Sequence, residues 1–128
     1  MDFEGVLGLV GGFLDTERFP YAIIGAFGLH AYGLTRATND LDFVTDSEAQ
    51  SSLVSFLVSK DYETLYVSPG YSNHSHSDPS LGRVDFVYVG GETGRRLFEG
   101  CREFSLGGLM IRVPRPEHLA AMKVQAMK

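Results

Sequence analysis

Residues 21–46 read YAIIGAFGLHAYGLTRATNDLDFVTD and contain the pattern that decides the fold. An apolar strand runs into a turn of small residues at Gly25-Ala26, and a short helical segment follows. Asp40 and Asp42 then stand one residue apart at the start of a second apolar run. Small-residue turns let a backbone approach a phosphate closely, and paired carboxylates on a strand suit a divalent cation. Together the two features indicate phosphoryl or nucleotidyl transfer.

A third carboxylate, Asp85, lies within the otherwise apolar run Arg83–Val89. Side chains alternate along a strand, so Asp40 and Asp42 point to one face with their Cα atoms about 7 Å apart. Two carboxylates on one face repel each other, and Mg²⁺ would remove that conflict. If the strand of Asp85 lies beside that of Asp42, three acids gather as in a two-metal site. The alternative for the first pair alone is a solvated strand entrance, because short motifs match by accident.

These residues resemble the signature of the nucleotidyltransferase fold, the polymerase-β-like superfamily. That signature is hydrophobic-Gly-small, then 13 residues, then Asp-hydrophobic-Asp-hydrophobic. It reads here Ile24-Gly25-Ala26, residues 27–39, and Asp40-Leu41-Asp42-Phe43. The third acid, Asp85, also has a counterpart in the family. The resemblance implies an α/β (α+β) nucleotidyltransferase fold with a small mixed β-sheet flanked by helices.

Two further stretches resemble one branch of that superfamily. Residues 36–42 (RATNDLD) and 116–123 (PEHLAAMK) look most like the small prokaryotic branch. That branch includes the AbiEii-type abortive-infection toxins of type IV systems and the minimal nucleotidyltransferases. The resemblance covers roughly residues 21–128.

The resemblance implies a catalytic role for the three acids. Asp40 and Asp42 would bind Mg²⁺, or Mn²⁺ in its place, and Asp85 would complete this metal and catalytic site. Asp85 would also help to activate the attacking hydroxyl group. The reaction would move a nucleoside monophosphate from a nucleoside triphosphate to an acceptor hydroxyl and release pyrophosphate.

Four other residues would bind the nucleotide if the resemblance holds. Gly25 and Ala26 would hold the triphosphate through backbone N–H groups. Arg36 would contact phosphates, and Lys123 resembles the late lysine that reaches the nucleotide or the acceptor. The family usually has Gly or Ser at the position of Ala26, which keeps the small size but lacks the hydroxyl group.

The resemblance leaves the acceptor open among a tRNA, a protein hydroxyl and a small molecule, and it suggests a toxin–antitoxin component. Ala26 and the short chain motivate an alternative, a catalytically degenerate domain of the same fold that acts as a binding or regulatory module. A second alternative is a plain α/β binding domain whose acids line a solvated edge.

Length and composition narrow these possibilities. The 128 residues predict one domain, 1–128, and Cys101 is the only cysteine, so no internal disulfide forms. No apolar run approaches the roughly 20 residues that span a bilayer, and no signal-peptide pattern begins the chain. We therefore expect no membrane partner and a cytoplasmic protein. The net charge of −5 disfavours general nucleic-acid binding.

The charge is unevenly distributed along the chain. Residues 1–89 hold 4 Lys/Arg against 12 Asp/Glu, a balance of −8, whereas residues 90–128 hold 7 against 4, a balance of +3. The difference is either an ordinary solvated surface or a basic flank that faces a polyanionic substrate. The basic second part keeps a tRNA acceptor open.

Hydrophobic periodicity and turn residues predict the remaining elements. The predicted strands are Tyr21–Gly25, Leu41–Thr45, Tyr62–Val67, Arg83–Val89, Glu103–Leu106 and Leu109–Val113. The predicted helices are Phe3–Glu17, Phe27–Gly33, a helix of about 12 residues capped by Ser47, Thr93–Cys101 and Glu117–Lys128.

Ser68–Gly82 is polar and holds two prolines and two glycines, which predicts a loop or a hairpin tip. His74 and His76 then lie in a flexible polar loop, with a metal-binding tract or a border of the acceptor site as alternatives.

The chain stops inside a helical pattern whose apolar residues have no cap after them. This end predicts either a truncated chain or a face that a protein partner or a second copy covers.

Overall fold

The computed structural model describes residues 1–24, 40–106 and 109–118. Its helices are α1 (Phe3–Thr16), α2 (Gln50–Ser59) and α3 (Gly91–Glu99), with a 3₁₀ turn over Ser47–Ala49 and helical residues at 116–118. Its strands are β1 (Tyr21–Ile24), β2 (Asp40–Asp46), β3 (Glu63–Ser68), β4 (Tyr71–Ser75), β5 (Arg83–Val89), β6 (Arg102–Leu106) and β7 (Leu109–Val113).

The strands form a mixed five-stranded sheet in the order β1-β2-β5-β4-β3 and a separate β6–β7 hairpin. β2 and β5 run parallel, and the other neighbouring strands are antiparallel. A parallel pair needs a long crossover, and here β2 and β5 are joined through α2 and the β3–β4 hairpin. The predicted α/β fold with a small mixed sheet is confirmed.

Helix α1 forms because its apolar residues recur at helical spacing and its start is capped. The Asp2 side chain accepts a hydrogen bond from the Gly5 N–H group at 3.0 Å. Gly11 is required by packing rather than by conformation, since a Cβ there would lie 2.5 Å from the Tyr21 hydroxyl oxygen. α1 holds four glycines, a residue type that disfavours helices, yet the helix is unbroken, and one of them admits a neighbouring ring.

The main core lies on one face of the sheet. Phe43 of β2 and Phe86 of β5 are fully buried and stack at a ring-centroid distance of 5.1 Å. Phe13 of α1 stacks on Phe56 of α2 at 4.3 Å, which joins the two helices over this face. Ile111 on β7 is also buried there, so the hairpin completes the same core.

The cap of α2 differs from the prediction. Asp46, not Ser47, is the capping residue, because its side chain accepts a hydrogen bond from the Glu48 N–H group at 2.8 Å. This cap begins a 3₁₀ turn, and the α-helix itself starts only at Gln50. The predicted helix is therefore present at the predicted position, but its first turn is a 3₁₀ turn and its capping residue is Asp46.

The prediction of a loop or a hairpin tip over residues 68–82 was right for residues 69–70, which turn between β3 and β4, and wrong for residues 71–75. Residues 71–75 form β4, an inner strand that pairs with β3 on one side and with β5 on the other. The polar sequence YSNHS forms this strand because both of its edges find backbone partners, which outweighs weak intrinsic preference. Residues 76–82 form the expected turn before β5.

The other described elements agree with the predicted strands and helices to within about two residues at each end. The predicted helix over Phe27–Gly33 and the body of the final helix lie outside the described residues. None of the described helices is long and apolar enough to cross a lipid bilayer.

Candidate active site

The second face of the sheet divides into an apolar part and an acidic part. α3 packs on the apolar part, where Leu97 and Phe98 contact Val44 and Val89. The acidic part lies towards the beginnings of β2 and β5. Alternation along β2 places Asp40 and Asp42 on this face, while Leu41 and Phe43 enter the core.

Parallel pairing brings the second and third acids together. Asp42 of β2 is the register partner of Asp85 of β5, so both side chains project from the same face of adjacent strands. The two carboxyl groups share a hydrogen bond. Asp40, two residues earlier on β2, is exposed and lies opposite Arg83. The structure thus joins Asp42 and Asp85 and places Asp40 on the rim.

The environment of Asp42 is unfavourable to its charge. Burial, followed by the charge of Asp85, the hydrogen bond to Asp85 and the charge of Asp40, raises the pKa of Asp42 to about 7. Arg83 acts in the opposite direction but does not offset these effects. Carboxyl groups whose pKa is raised by burial and by a neighbouring acid are found more often at functional sites than elsewhere.

Arg83 holds the third acid in place. Its Nε donates to Asp85 Oδ1 at 3.0 Å, and the side chains of Arg83 and Asp85 are 41% and 14% exposed. Arg83 also hydrogen-bonds the Tyr71 side chain. Arg83 was not among the predicted site residues, although its position two residues before Asp85 on a predicted strand puts both side chains on one face.

The carboxylate oxygens of Asp42 and Asp85 are chemically suitable ligands for a hard divalent cation, because Mg²⁺ prefers oxygen ligands of this type. A positive ion between Asp42 and Asp85 would also relieve the repulsion that raises the pKa of Asp42. Within residues 1–24, 40–106 and 109–118, no three side chains of acids, histidines or cysteines converge as ligands of one ion. The structure therefore presents a two-carboxylate pair with Asp40 nearby.

A neutral polar surface continues from Asp85 across β4. Asn73 is the register partner of Asp85, and its Nδ2 donates to the Tyr71 hydroxyl group at 3.5 Å. Asn73 Oδ1 is buried and has no hydrogen-bond partner. Tyr66 of β3 lies opposite Asn73, and its ring is 6.3 Å from that of Tyr71. Tyr71 and Asn73 were not predicted as site residues because their strand was predicted as a loop, whereas Tyr66 lies on a predicted strand.

The two histidines of the same segment have structural roles. His74 is fully buried on the core face, where its ring nitrogens lie 3.0 Å from Thr64 Oγ1 and 2.9 Å from Ser72 Oγ. His76 lies in the following turn, with Nε2 3.0 Å from the Lys60 carbonyl oxygen. The two rings have separate partners, which gives no support to a metal-binding tract.

The residues predicted to bind the nucleotide cannot be placed in this geometry. Gly25, Ala26, Arg36 and Lys123 all lie outside the described residues. Their assignment remains a prediction that depends on the sequence resemblance.

Comparison with solved structures shows which fold this is. The chain is similar to a lincosamide antibiotic adenylyltransferase with lincomycin bound, at a TM-score of 0.73 and 14% identity, over 92% of this chain and 84% of that one. It is also similar to the antibiotic-resistance factor ANT(2'')-Ia in complex with adenylyl-2''-tobramycin, at a TM-score of 0.68 and 15% identity, over 90% of this chain and 70% of that one. The third similar structure is a candidate nucleotidyltransferase from Thermotoga maritima, at a TM-score of 0.66 and 16% identity, over 96% of this chain and 83% of that one.

No protein-family model and no curated protein sequence matches the chain. At 14–16% identity the likeness to solved structures establishes the fold alone. The chain has the nucleotidyltransferase fold.

Proposed function

We propose that this protein is a Mg²⁺-dependent nucleotidyltransferase that moves a nucleoside monophosphate from a nucleoside triphosphate to an acceptor hydroxyl group. The observation that carries the proposal is the Asp42–Asp85 pair. These carboxyl groups are register partners on parallel strands, and the pKa of Asp42 is raised to about 7 by burial and by neighbouring acids. A nucleotidyltransferase fold with this pair supports phosphoryl chemistry more directly than binding alone.

In the proposed reaction, Asp42 and Asp85 would hold Mg²⁺, or Mn²⁺ in its place, and Asp40 on the rim is the third acid of the proposed set. When bound there, the metal would supply positive charge against the charge that develops on the phosphate oxygens. Asp85 accepts the proton of the attacking hydroxyl group, while Arg83 fixes its orientation through the 3.0 Å bond to Oδ1. Gly25, Ala26, Arg36 and Lys123 bind the nucleotide in this proposal.

Among the acceptors, a small molecule has the best support. The solved structures of similar fold include a lincosamide adenylyltransferase and an enzyme bound to adenylyl-2''-tobramycin, both of which act on antibiotics. A tRNA or protein acceptor and a toxin–antitoxin role stay as alternatives that depend on the resemblance to AbiEii-type proteins. A cytoplasmic location and a single domain over residues 1–128 belong to the same proposal.

Thermal unfolding tests the proposal directly. Wild type is heated with each nucleoside triphosphate, with and without Mg²⁺, and compared with Asp42→Asn. A ligand at 100 times its dissociation constant stabilises the protein by about 2.7 kcal/mol, which raises Tm by several degrees. We expect this rise only with Mg²⁺ and a triphosphate, and we expect Asp42→Asn to lose it.

The matched control is Asp46→Asn, which makes the same chemical change on the same face of β2. Asp46 caps the turn that follows, and Asn retains that capping ability. The control should keep the nucleotide-dependent rise in Tm. Absence of any rise in wild type with every nucleotide contradicts the proposed function.

A catalytically degenerate binding module is the second candidate. The ion pair between Arg83 and Asp85 favours it, since one oxygen atom of the third acid is already occupied by a protein group. Release of pyrophosphate from a labelled triphosphate separates the two candidates. The enzyme releases pyrophosphate in the presence of an acceptor, whereas the module binds the nucleotide and leaves it intact.

A further inference from the structure

The α2–β3 side of the molecule carries most of its exposed apolar side chains. Among the described residues, five large apolar side chains are about half exposed or more, and four of them lie on α2 and β3. These four are Val58 at 54%, Leu65 at 50%, Tyr66 at 58% and Val67 at 47%. Single exposed apolar residues are common, whereas a group on neighbouring elements marks an interaction surface.

Strand β3 is an open edge of the sheet. Among the described strands it pairs with β4 alone, whereas β7 lies beside β1 at the other edge. In the described part of the chain, the backbone of Glu63–Val67 has no hydrogen-bond partner outside the β3–β4 pair. The outward N–H and C=O groups of such an edge are a template for a further strand.

This edge has little of the protection that natural sheet edges carry. Short length, Lys or Pro residues and bulges are the usual features that prevent pairing. β3 has six residues, contains no Lys or Pro, and has one register shift, at Leu65. Thr64, Tyr66 and Val67 are residue types that favour strands. The edge is therefore suited to accept a further strand.

The flank of α2 above this edge is uncharged. Phe56 stacks on α1, and Leu57 is buried in the core. A helix turns by about 100° per residue, so Val58 follows on the flank away from α1, and Val54 lies one turn before it. α2 contains no charged residue from Gln50 to Ser59. An exposed helix flank of this kind is suited to contact with another protein surface.

Helix α2 and strand β3 together form one side of the molecule. Gln50 at the start of α2 donates through Nε2 to the carbonyl oxygen of Ser68 at the end of β3, at 2.6 Å. The turn over residues 60–62 joins their other ends. The flank of α2 and the edge of β3 are therefore continuous. We call them the edge surface, which consists of Val54, Val58, Leu65, Tyr66 and Val67.

The charges favour a second copy of this chain as the occupant of the edge surface. The net charge is −5, so two copies repel unless they meet where acids are absent. The edge surface has no charged residue, and Glu63 at the start of β3 is the one charge in that strand. In an antiparallel pair centred on Tyr66, Glu63 lies about 20 Å from the partner's Glu63. Self-pairing therefore opposes no like charges within the strands.

The size of the surface predicts reversible association. β3 is about 20 Å long, and a sheet with one layer of helix is roughly 20 Å thick. The edge surface thus offers about 400 Å² per copy, half of the roughly 800 Å² that each partner buries in a stable complex. We expect a dissociation constant of about 10–100 µM, in the range of weak complexes.

We propose that two copies of this chain associate through the edge surface, by antiparallel pairing of β3 with the β3 strand of the partner. The two-fold axis is perpendicular to the sheet, so the two sheets join into one of ten strands and the two α2 flanks meet on the same side. A parallel pair would place the two α2 helices on opposite sides and leave their flanks exposed. The two Asp42–Asp85 pairs then lie on one face, with the β5 strands about 24 Å apart.

Sedimentation equilibrium of the full chain tests the association. Wild type is measured from about 5 µM to about 1 mM, and we expect a reversible monomer–dimer equilibrium. Leu65→Lys and Val67→Lys each place a charge in the contact and should weaken the dimer by about ten-fold or more. The matched control is Met110→Lys, which adds the same charge at a residue of the β6–β7 hairpin that is 64% exposed. This control should leave the dissociation constant unchanged.

Circular dichroism confirms that each variant is folded. Val58→Lys repeats the test on α2 if either β3 variant fails to fold, because Val58 is an exposed residue of the same surface. It should also weaken the dimer by about ten-fold or more.

The response to salt is a second signature of this contact. Residues 46–49 and 60–63 flank the edge surface at its two ends and hold four acids and one base. Antiparallel pairing brings these acidic ends near each other, so salt screens a repulsion. We expect the dissociation constant to fall several-fold between about 50 mM and about 500 mM NaCl.

Cysteine cross-linking tests the register of the strands. In a Cys101→Ser background, Tyr66→Cys places two thiols beside the two-fold axis, where Cα atoms about 5 Å apart allow a disulfide. Glu63→Cys is the matched control on the same strand, because its two copies lie about 20 Å apart. Oxidation with glutathione disulfide should link Tyr66→Cys into a covalent dimer and leave Glu63→Cys unlinked.

Four results overturn the proposal. They are a wild type that stays monomeric at about 1 mM, a dimer that Met110→Lys weakens as much as Leu65→Lys and Val67→Lys do, a dimer that salt weakens, and cross-linking of Glu63→Cys as readily as Tyr66→Cys. These measurements need neither nucleotide nor metal, so their outcome is independent of the proposed function.

Discussion

The two faces of the β2–β5 pair are built from adjacent residues and have opposite effects on the molecule. On one face Leu41, Phe43 and Phe86 are fully buried in the main core. On the other face Asp42 and Asp85 lie side by side, and burial and mutual repulsion oppose the charge of Asp42. The first face stabilises the fold, whereas the second stores an unfavourable interaction that a bound ligand can relieve.

The largest expected effect comes from the core face. Phe86→Ala removes a ring that stacks on Phe43 and is fully buried, so it should lower the free energy of unfolding by about 3–5 kcal/mol. Urea unfolding followed by circular dichroism measures this loss. Tyr66→Ala, which truncates a ring that is 58% exposed, should cost less than about 1 kcal/mol. Equal losses in the two variants would show that the core is not where the structure places it.

The buried histidine tests the same face with a polar group. His74→Ala removes contacts to Thr64 Oγ1 and Ser72 Oγ and leaves a cavity, so we expect a loss of about 2–4 kcal/mol. Burial lowers the pKa of His74 below 6.5. The unfolded chain then binds the proton first, so wild type loses stability as the pH falls below about 6.5. The difference in unfolding free energy between wild type and His74→Ala should therefore shrink on acidification.

The carboxylate face should show the opposite response. The pKa of Asp42 is raised from 3.8 to about 7, so the folded protein binds a proton that the unfolded chain has already lost. Its contribution to stability therefore falls as the pH rises from about 4 to about 7. Asp42→Asn lacks this pH dependence of stability. It should therefore be more stable than wild type by about 1–2 kcal/mol at pH 8 and about as stable as wild type at pH 4.

This measurement is made without metal or nucleotide, because a bound cation would remove the penalty in wild type. Each variant is compared with wild type at the same pH, which separates the Asp42 slope from the opposing slope of His74. A destabilised Asp42→Asn at pH 8 would mean that the pair supports the fold rather than a ligand.

The smallest expected effect distinguishes two acids on one strand. Asp46 is on the same face of β2 as Asp42, but its carboxylate accepts a hydrogen bond from the Glu48 N–H group at 2.8 Å. Asp46→Ala removes this cap and should lower the free energy of unfolding by about 1 kcal/mol. Thermal unfolding at pH 8 would then show opposite signs for Asp46→Ala and Asp42→Asn. The same sign for both would contradict the difference in their surroundings.

Local pattern was enough to predict most elements, because strand alternation and helical spacing are short-range properties. The run Arg83–Val89 was predicted with the bounds that the structure has, and α1 was predicted despite four internal glycines. β4 was missed since its residues have low strand preference and become a strand only through pairing with β3 and β5.

The candidate site was predictable in part for the same reason. Asp40 and Asp42 share a face by periodicity alone, whereas the contribution of Asp85 needed the assumption that its strand lies beside β2. The same strand periodicity would have predicted that Arg83 shares a face with Asp85. Asn73 was not, because its place beside Asp85 depends on a strand that the sequence did not indicate.

By itself the sequence determined which side chains alternate along each strand, and therefore that the acids of β2 lie opposite the core residues. Only the tertiary structure decided that Asp42 lies beside Asp85, that His74 is buried, and that Asn73 borders the acids. The physical reason is register: it is set by long-range pairing and packing, and a slip of one residue would turn every side chain to the other face.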